Sequence, residues 1–451
     1  MFNEENKPFY LLLFGILALA FILRVTVISL QGSTLFLNSD DLGYIQCAAK
    51  WLETGVMTFG SDQPTAFVGP VFPGFVAMVF AFFGSDDAGV QAVRYTQALL
   101  GVFSVFLTYR LVERLSERRT ALLAAFFMAV YPSNILVNGL ILTETLFTVL
   151  NLGYIFLLVK LSHEEQLSEK AEMFLFGLLG AYTALLTLAR ATAALFPMVF
   201  MAYLLWRRRY AFQNWLRNGL IVLMVFTVCM SPWWIRNYIA FDRFIPFSSG
   251  AGEPLLLGTY IEMEGLVDGA APDWPVGDDE LDAQEKYKQF AIERLKENVP
   301  KEPLRYLKWY TWGKFMYMWG GAFMWEPIWT SIRYWVDLIH QLLMVFALGG
   351  MGTALWRWWN RREELRAHGG LLLDEVPGDR WGAGGRLTGL LLLLSMPVYY
   401  TALHNLYFGF TRYNIPFLPI IFFFSAYAVI EAVDALLGAR KGDYGRSGLF
   451  R

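Results

Sequence analysis

Apolar runs long enough to cross a bilayer recur along nearly the whole chain, separated by short polar breaks and by two long ones. A helix that spans the hydrocarbon core needs about 20 mostly apolar residues. The runs expected to do so are Phe9 to Leu30, Val90 to Val112, Ala121 to Val137, Ile141 to Val159, Phe174 to Leu188, Ala193 to Leu205, Leu220 to Pro232, Tyr334 to Leu355, Leu387 to Leu406 and Tyr413 to Leu436. The short ones require tilt or extension into their flanks. No small-residue cleavage site follows the first run, which therefore reads as a retained helix. The expectation is one all-α polytopic integral membrane domain over residues 1–451, with about ten transmembrane helices.

Lys and Arg concentrate in the short breaks: Arg110, Arg114, Arg118 and Arg119; Arg207, Arg208, Arg209 and Arg217; Arg357, Arg361, Arg362 and Arg366; and Arg440, Lys441 and Arg446 in the tail. Translocating cations is disfavoured, so these groups mark the cytoplasmic side, and all four share it if both termini lie there. The break from Lys160 to Glu172, mixed in charge, fits this pattern least well. The two long breaks, residues 31–89 and 237–332, then face outside. Loops of that length in a compact protein are usually functional or disordered. Within the second, the aromatic run Tyr306 to Trp325, with Lys308 and Lys314, reads as a helix lying in the membrane interface rather than crossing it.

Composition agrees, with 56% apolar and 17% charged residues among 451, too few polar groups to coat a soluble globule of this size. The 37 Lys plus Arg nearly balance 39 Asp plus Glu, so no electrostatic footprint for nucleic acid is present. The two cysteines, Cys47 and Cys229, have no metal-ligand spacing.

Ionisable groups at membrane depth cost several kcal/mol unless paired or hydrated, and so tend to mark sites. Arg24, Glu144, Arg190, Arg236 and Arg412 are such groups, and the topology puts every one on the outer half. Each alone also fits an interfacial anchor or a buried ion pair; their shared depth points to a site. Asp40 and Asp41 follow the first span in the run SDDLGY, with Tyr44 one helical turn on. A Ser or Asp there commonly caps a helix. We assign capping or support to Asp41 and chemistry to Asp40.

At these residues the chain resembles the GT-C class of membrane glycosyltransferases, in the branch of the protein O-mannosyltransferases and the enzyme that adds aminoarabinose to lipid A. The resemblance rests on Arg24 in the first helix, then Asp40, Asp41 and Tyr44, then Gly69 to Gly84 with Pro70 and Pro73. It continues through LILTETLF at Leu140 to Phe147, SPWWIRNYIAFDRFIPFSSG at Ser231 to Gly250 and TRYNIPFLPI at Thr411 to Ile420. It implies a polyprenyl-phosphate sugar donor held in the bilayer, a glycan, lipid or protein acceptor, a site under the first outer loop and inversion at the anomeric carbon. It also implies that Asp40 is the catalytic base. Many relatives carry Glu where this chain has Asp41. Some use a divalent cation and others do not; no complete oxygen cage is visible here.

The chemistry so implied needs deprotonation of the acceptor, charge stabilisation on the departing phosphate and alignment of both. Guanidinium forks match phosphate oxygens, which makes Arg236 and Arg412 the first candidates for the donor phosphate and Arg190 and Arg24 the next. Glu144 is a supporting acid, and Tyr44, Trp233 and Tyr413 are expected to line the cleft. His404 reads as a structural residue. A multi-pass transporter of an anionic or lipid-linked substrate, or a polysaccharide ligase, shares some of these features, but no internal repeat supports a transporter. The pattern suits a prokaryotic plasma membrane, with the site facing the periplasm or exterior.

Overall fold

The computed structural model describes residues 7–163, 167–207, 209–266, 271, 273–324, 330–367 and 383–438. Helix α1 (Lys7–Gln31) is followed by α2 (Asp40–Thr54) and α3 (Val71–Phe83) in the first long loop. Then come α4 (Asp87–Leu115), α5 (Arg118–Val130), α6 (Pro132–Gly139), α7 (Thr143–His163), α8 (Glu169–Ala189), α9 (Phe196–Trp206) and α10 (Phe212–Phe241). The second long loop holds α11 (Gly252–Leu257), α12 (Glu280–Asn298), α13 (Pro303–Lys308) and α14 (Lys314–Trp319), and the chain closes with α15 (Arg333–Ala367), α16 (Ala383–Leu406) and α17 (Leu418–Leu436).

Among the described residues seven helices are long and apolar enough to cross a membrane, or eight if the bent pair α5 and α6 counts as one span. That is fewer than the expected ten, for two physical reasons. The run Val90 to Val112 lies on α4, which is long enough but carries Arg94, Gln97, Arg110 and Glu113. The run Ala193 to Leu205 yields α9 with only 11 helical residues, about 16 Å at 1.5 Å per residue. Even so, α4 runs antiparallel along the length of α1. Near one end Arg94 Nη1 donates to Gly32 O at 2.8 Å, and at the other Arg118 lies 5.7 Å from the Phe9 ring.

The break between α5 and α6 is written in the sequence. Pro132 cannot continue a helix and pushes Tyr131 to an extended conformation (φ −66°, ψ 121°), while its own fixed φ suits the first position of α6. The two segments meet at 50°. Helix α17 is buried on all sides from Leu418 to Tyr427, as expected of a helix apolar all round, and sits at the centre of the bundle. By contrast α10 exposes Leu216, Leu220, Leu223, Met224, Val228, Ile235 and Ile239, a face suited to lipid.

The two long loops pack on each other at one end of the bundle. The Glu280 carboxylate accepts from Thr65 Oγ1 at 2.5 Å, Ala66 N at 3.0 Å and Ser249 Oγ at 2.5 Å, and Ser249 N donates to Ala66 O at 2.8 Å. The cation-rich breaks lie at the opposite helix ends, where Arg119 pairs with Asp434 at 2.8 Å and Arg357 with Glu431 at 2.5 Å. Arg217 pairs with Glu172 at 2.9 Å and also with Glu169, so the acidic residues of the mixed break are neutralised from α10. Arg208, Trp325, Arg440, Lys441 and Arg446 lie outside the described residues. The aromatic run is helical without a gap from α13 through a π-helical turn at Trp309–Gly313 to the end of α14 at Trp319.

Candidate active site

The site is assembled from the places where helices break. Asp41, fully buried, accepts from Leu37 N at 2.7 Å through Oδ2 and from Ser39 N at 3.0 Å through Oδ1, which ties down the turn that enters α2. Asn38 makes that turn with φ 55°, a left-handed conformation asparagine tolerates better than most residues. Arg94 grips the same connection from below, donating to Gly32 O and to Leu35 O at 2.6 Å. The neighbouring Asp40 is thereby presented from the first turn of α2 with its side chain 34% exposed.

Four charged side chains meet there. Asp40 Oδ2 accepts from Arg412 Nη2, on the 3₁₀ segment Thr411–Phe417 that separates α16 from α17. Arg412 Nε lies 3.8 Å from Glu144 Oε1. Glu144, in the first turn of α7 and only 1% exposed, pairs with Arg190, the residue that ends α8. Arg190 also donates to Thr143 Oγ1 through Nε at 3.0 Å and Nη2 at 2.7 Å, and its guanidinium lies 5.3 Å from the Phe147 ring. Tyr413 receives Arg412 at 5.5 Å and Arg190 at 5.8 Å over its ring. Tyr44 packs against Phe72 at 4.8 Å and Phe59 at 5.3 Å. Burial first, then Asp40 and Glu144, push its hydroxyl well above the ordinary tyrosine range.

Two atoms of this cluster, Glu144 Oε2 and Arg412 Nε, are buried without a hydrogen-bond partner among the described residues. Buried polar groups are rarely left unsatisfied.

The expected arginines do not all converge. Arg24 is fully buried and hydrogen-bonds Asn138 Oδ1 at 2.5 Å and the carbonyls of Ala20, Ala129 and Met128 at 3.1, 3.0 and 3.3 Å. Two of its partners, the carbonyls of Ala129 and Met128, are freed where α5 breaks, so it splints that kink instead of joining the cluster. We expect Arg24→Gln to lower stability by about 3 kcal/mol, read as a fall in thermal denaturation temperature, with prenyl-phosphate affinity unchanged. An affinity loss without a stability loss would return Arg24 to the site. Arg236 likewise donates to Thr65 O at 2.7 Å, Asn237 Oδ1 at 2.9 Å and Met57 O at 3.4 Å, and lies 5.3 Å from the Trp233 ring. Trp233 Nε1 donates to Phe247 O at 2.6 Å, so this pair fastens α10 to both long loops.

Glu253 on α11 was not singled out from the sequence. Its carboxyl has no hydrogen-bond partner among the described residues, and burial followed by the charge on Asp40 raises its pKa. The backbone beneath it is clamped: Gly252 N and Glu253 N both donate to Gln284 Oε1, at 2.9 and 3.0 Å. Lys314, expected at the interface, is instead fully buried; it donates to Asn405 O and Tyr407 O at 3.1 and 2.6 Å, and burial lowers its pKa to about 7. His404 stacks on Tyr413 at 4.8 Å and bonds Phe408 O at 3.0 Å. Among the described residues no three His, Cys, Asp or Glu side chains lie together as a metal cage.

Residues 62–235 match the family model of the dolichyl-phosphate-mannose-protein mannosyltransferases, a stretch that includes Glu144 and Arg190. No curated protein sequence matches the chain. Among solved structures, the Archaeoglobus fulgidus oligosaccharyltransferase AglB in complex with an inhibitory peptide and a dolichol-phosphate is similar at 13% identity and TM-score 0.55, covering 98% of this chain and 53% of that one. The same organism's oligosaccharyltransferase tethered to an acceptor peptide gives 13% identity and TM-score 0.52, covering 98% and 52%. ArnT from Cupriavidus metallidurans bound to undecaprenyl phosphate is a looser likeness, with 12% identity, TM-score 0.44 and coverage of 97% and 81%. The chain spans about half the length of the oligosaccharyltransferases it matches, and at such identities the fold alone is shared. The protein is therefore a multi-pass membrane protein that shares its fold with the archaeal oligosaccharyltransferases, and its residues 62–235 match the model of the dolichyl-phosphate-mannose-protein mannosyltransferases.

Proposed function

We propose that the chain is an inverting glycosyltransferase that moves a monosaccharide from a polyprenyl-phosphate donor to a glycan, lipid or protein acceptor at the outer face of the membrane. The observation that carries this reading is the gathering of Asp40, Arg412, Glu144 and Arg190 from four separate helix breaks at the end of the bundle where the long loops pack. Counting α4, the α5 and α6 pair and the segment ending in α9 as crossings gives ten, with both long loops on the side away from the cation-rich breaks. By the positive-inside rule that side is the exterior.

In the reaction the acceptor oxygen or nitrogen attacks the anomeric carbon from the face opposite the phosphate. The bond from that carbon to the phosphate oxygen breaks, its electron pair leaves with the prenyl phosphate, and the acceptor proton passes to Asp40. A single displacement of this kind inverts the anomeric centre. Arg412 and Arg190 stabilise the charge that grows on the phosphate, since guanidinium stays protonated in a low-dielectric site and grips phosphate at two points. Glu144 keeps both cations in place. Arg24 and Arg236 are left out because backbone carbonyls occupy their donors.

The test is to incubate the protein in nanodiscs with a panel of undecaprenyl-phosphate sugars and membrane extract, following release of undecaprenyl phosphate and the anomeric configuration of the product. We expect release with at least one sugar, and inversion. Absence of release across the panel, or retained configuration, would discard the reading.

A further inference from the structure

Lysine is almost never fully buried unless a counter-charge meets it. Lys314, at the start of α14, is fully buried and forms no ion pair among the described residues. Its ammonium donates instead to two carbonyls at the end of α16, Asn405 O at 3.1 Å and Tyr407 O at 2.6 Å, and lies 3.5 Å from the centre of the Tyr310 ring. Carbonyls at a helix end are ordinarily satisfied by water or by the turn that follows. Here space for water is taken by the residue that follows α11: a Cβ on Gly258 would lie 1.9 Å from Tyr407 O and 2.7 Å from Lys314 Nζ.

The backbone held in this way leads to Arg412. Residues 407–410 connect α16 to the 3₁₀ segment Thr411–Phe417, and α14 touches the chain on both sides of the arginine. Ahead of it, Lys314 takes Tyr407 O, and Gly409 packs on the backbone of Lys314, where a Cβ would come 3.3 Å from the lysine carbonyl oxygen. Behind it, Asn414 Nδ2 donates to Met318 O at 2.7 Å. Lys314 and Met318 are one turn apart on one face of α14. His404 adds a bond to Phe408 O from within α16, whereas Lys314 and Met318 tie the connection to the second outer loop. The direction in which Arg412 reaches toward Asp40 and Glu144 is thus set by a backbone that one turn of α14 brackets.

We propose that Lys314 is a positioning residue for the donor phosphate, which aims Arg412 by pinning Tyr407 to α14 and does not itself touch the substrate. This deepens the glycosyltransferase reading and rests on it, since it takes Arg412 as a ligand of the phosphate. A buried ammonium without a carboxylate is a costly way to satisfy two carbonyls. It is also a strong one, because hydrogen bonds from a charged donor are about twice as strong as neutral ones.

The test uses undecaprenyl phosphate alone as probe, binding to the full chain in nanodiscs. Lys314→Met keeps the length of the side chain and removes its donors, and we expect affinity to fall about tenfold as Arg412 loses its aim. Lys314→Gln can still donate to one carbonyl and should lose about threefold. General damage to the fold would also weaken binding, so each change is repeated in an Arg412→Ala background. If Lys314 acts through Arg412, nothing is left there to misplace, and Lys314→Met should lower affinity by less than about twofold. Equal losses in both backgrounds would make Lys314 a structural cap of α16 and overturn the proposal. Unchanged affinity in both lysine variants overturns it too, as does an Arg412→Ala protein that binds as tightly as the original. Should Lys314→Met fail to fold, the Lys314→Gln pair decides by the same comparison. Failure of the unaltered protein to bind undecaprenyl phosphate at all is a different result, and it removes the prenyl-phosphate reading together with this one.

Discussion

Purified Asp40→Asn protein is expected to lose transfer, by a factor on the order of 10² to 10⁴, the contribution typical of a positioned general base. Asn has nearly the shape of Asp, and its amide oxygen can still accept from Arg412, so the local packing survives. What disappears is the ability to take up the acceptor proton. Folding should be spared, because the hydrogen bonds that set the start of α2 come from Asp41 and Arg94. Release of undecaprenyl phosphate measures the first claim and the thermal denaturation temperature the second. A folded Asp40→Asn enzyme that retains activity within about tenfold of the original sinks the assignment.

How far the sequence showed all this depends on the kind of signal. Spans were legible because burial in lipid demands long apolar runs, but the run Ala121 to Val137 was read as one span although Pro132 breaks it into α5 and α6. The candidate cluster was partly legible because a charge in an apolar run is conspicuous, and Glu144, Arg190 and Arg412, which the structure brings together, were singled out that way. The same signal singled out Arg24, which the structure places against backbone carbonyls away from the cluster. Wherever a membrane helix breaks, carbonyls lose their partners and some donor must reach them, and no local pattern tells a splinting arginine from a ligand-binding one. Arg94 carries as conspicuous a charge as Arg24, within the run Val90 to Val112, and it too holds backbone carbonyls, those of Gly32 and Leu35. Glu253 was beyond reach. It is one acid among many in a long polar loop, and only the clamp between α11 and α12 brings it within the field of Asp40.

Glu144→Ala should be the most destabilising single change in the site, by about 3 to 5 kcal/mol, the usual consequence of leaving a buried charge without its partner. The residue is 1% exposed, and it is the anion that Arg190 pairs with and that Arg412 Nε approaches at 3.8 Å. Arg190 would keep only its bonds to Thr143 Oγ1 and its place over Phe147, neither of which supplies negative charge. Replacing both partners, as Glu144→Leu with Arg190→Met, removes the uncompensated charge along with the pair and should recover most of the lost stability, since buried ion pairs contribute little net over apolar residues of similar size. Transfer should not recover if Arg190 holds the donor phosphate as proposed, because that guanidinium is gone. Thermal denaturation in nanodiscs beside the undecaprenyl phosphate release assay separates the two readouts. Recovery of activity in the double variant would show that the pair serves only to hold α7 against α8, whereas loss of both readouts would mean that Glu144 supports the fold through contacts other than its charge.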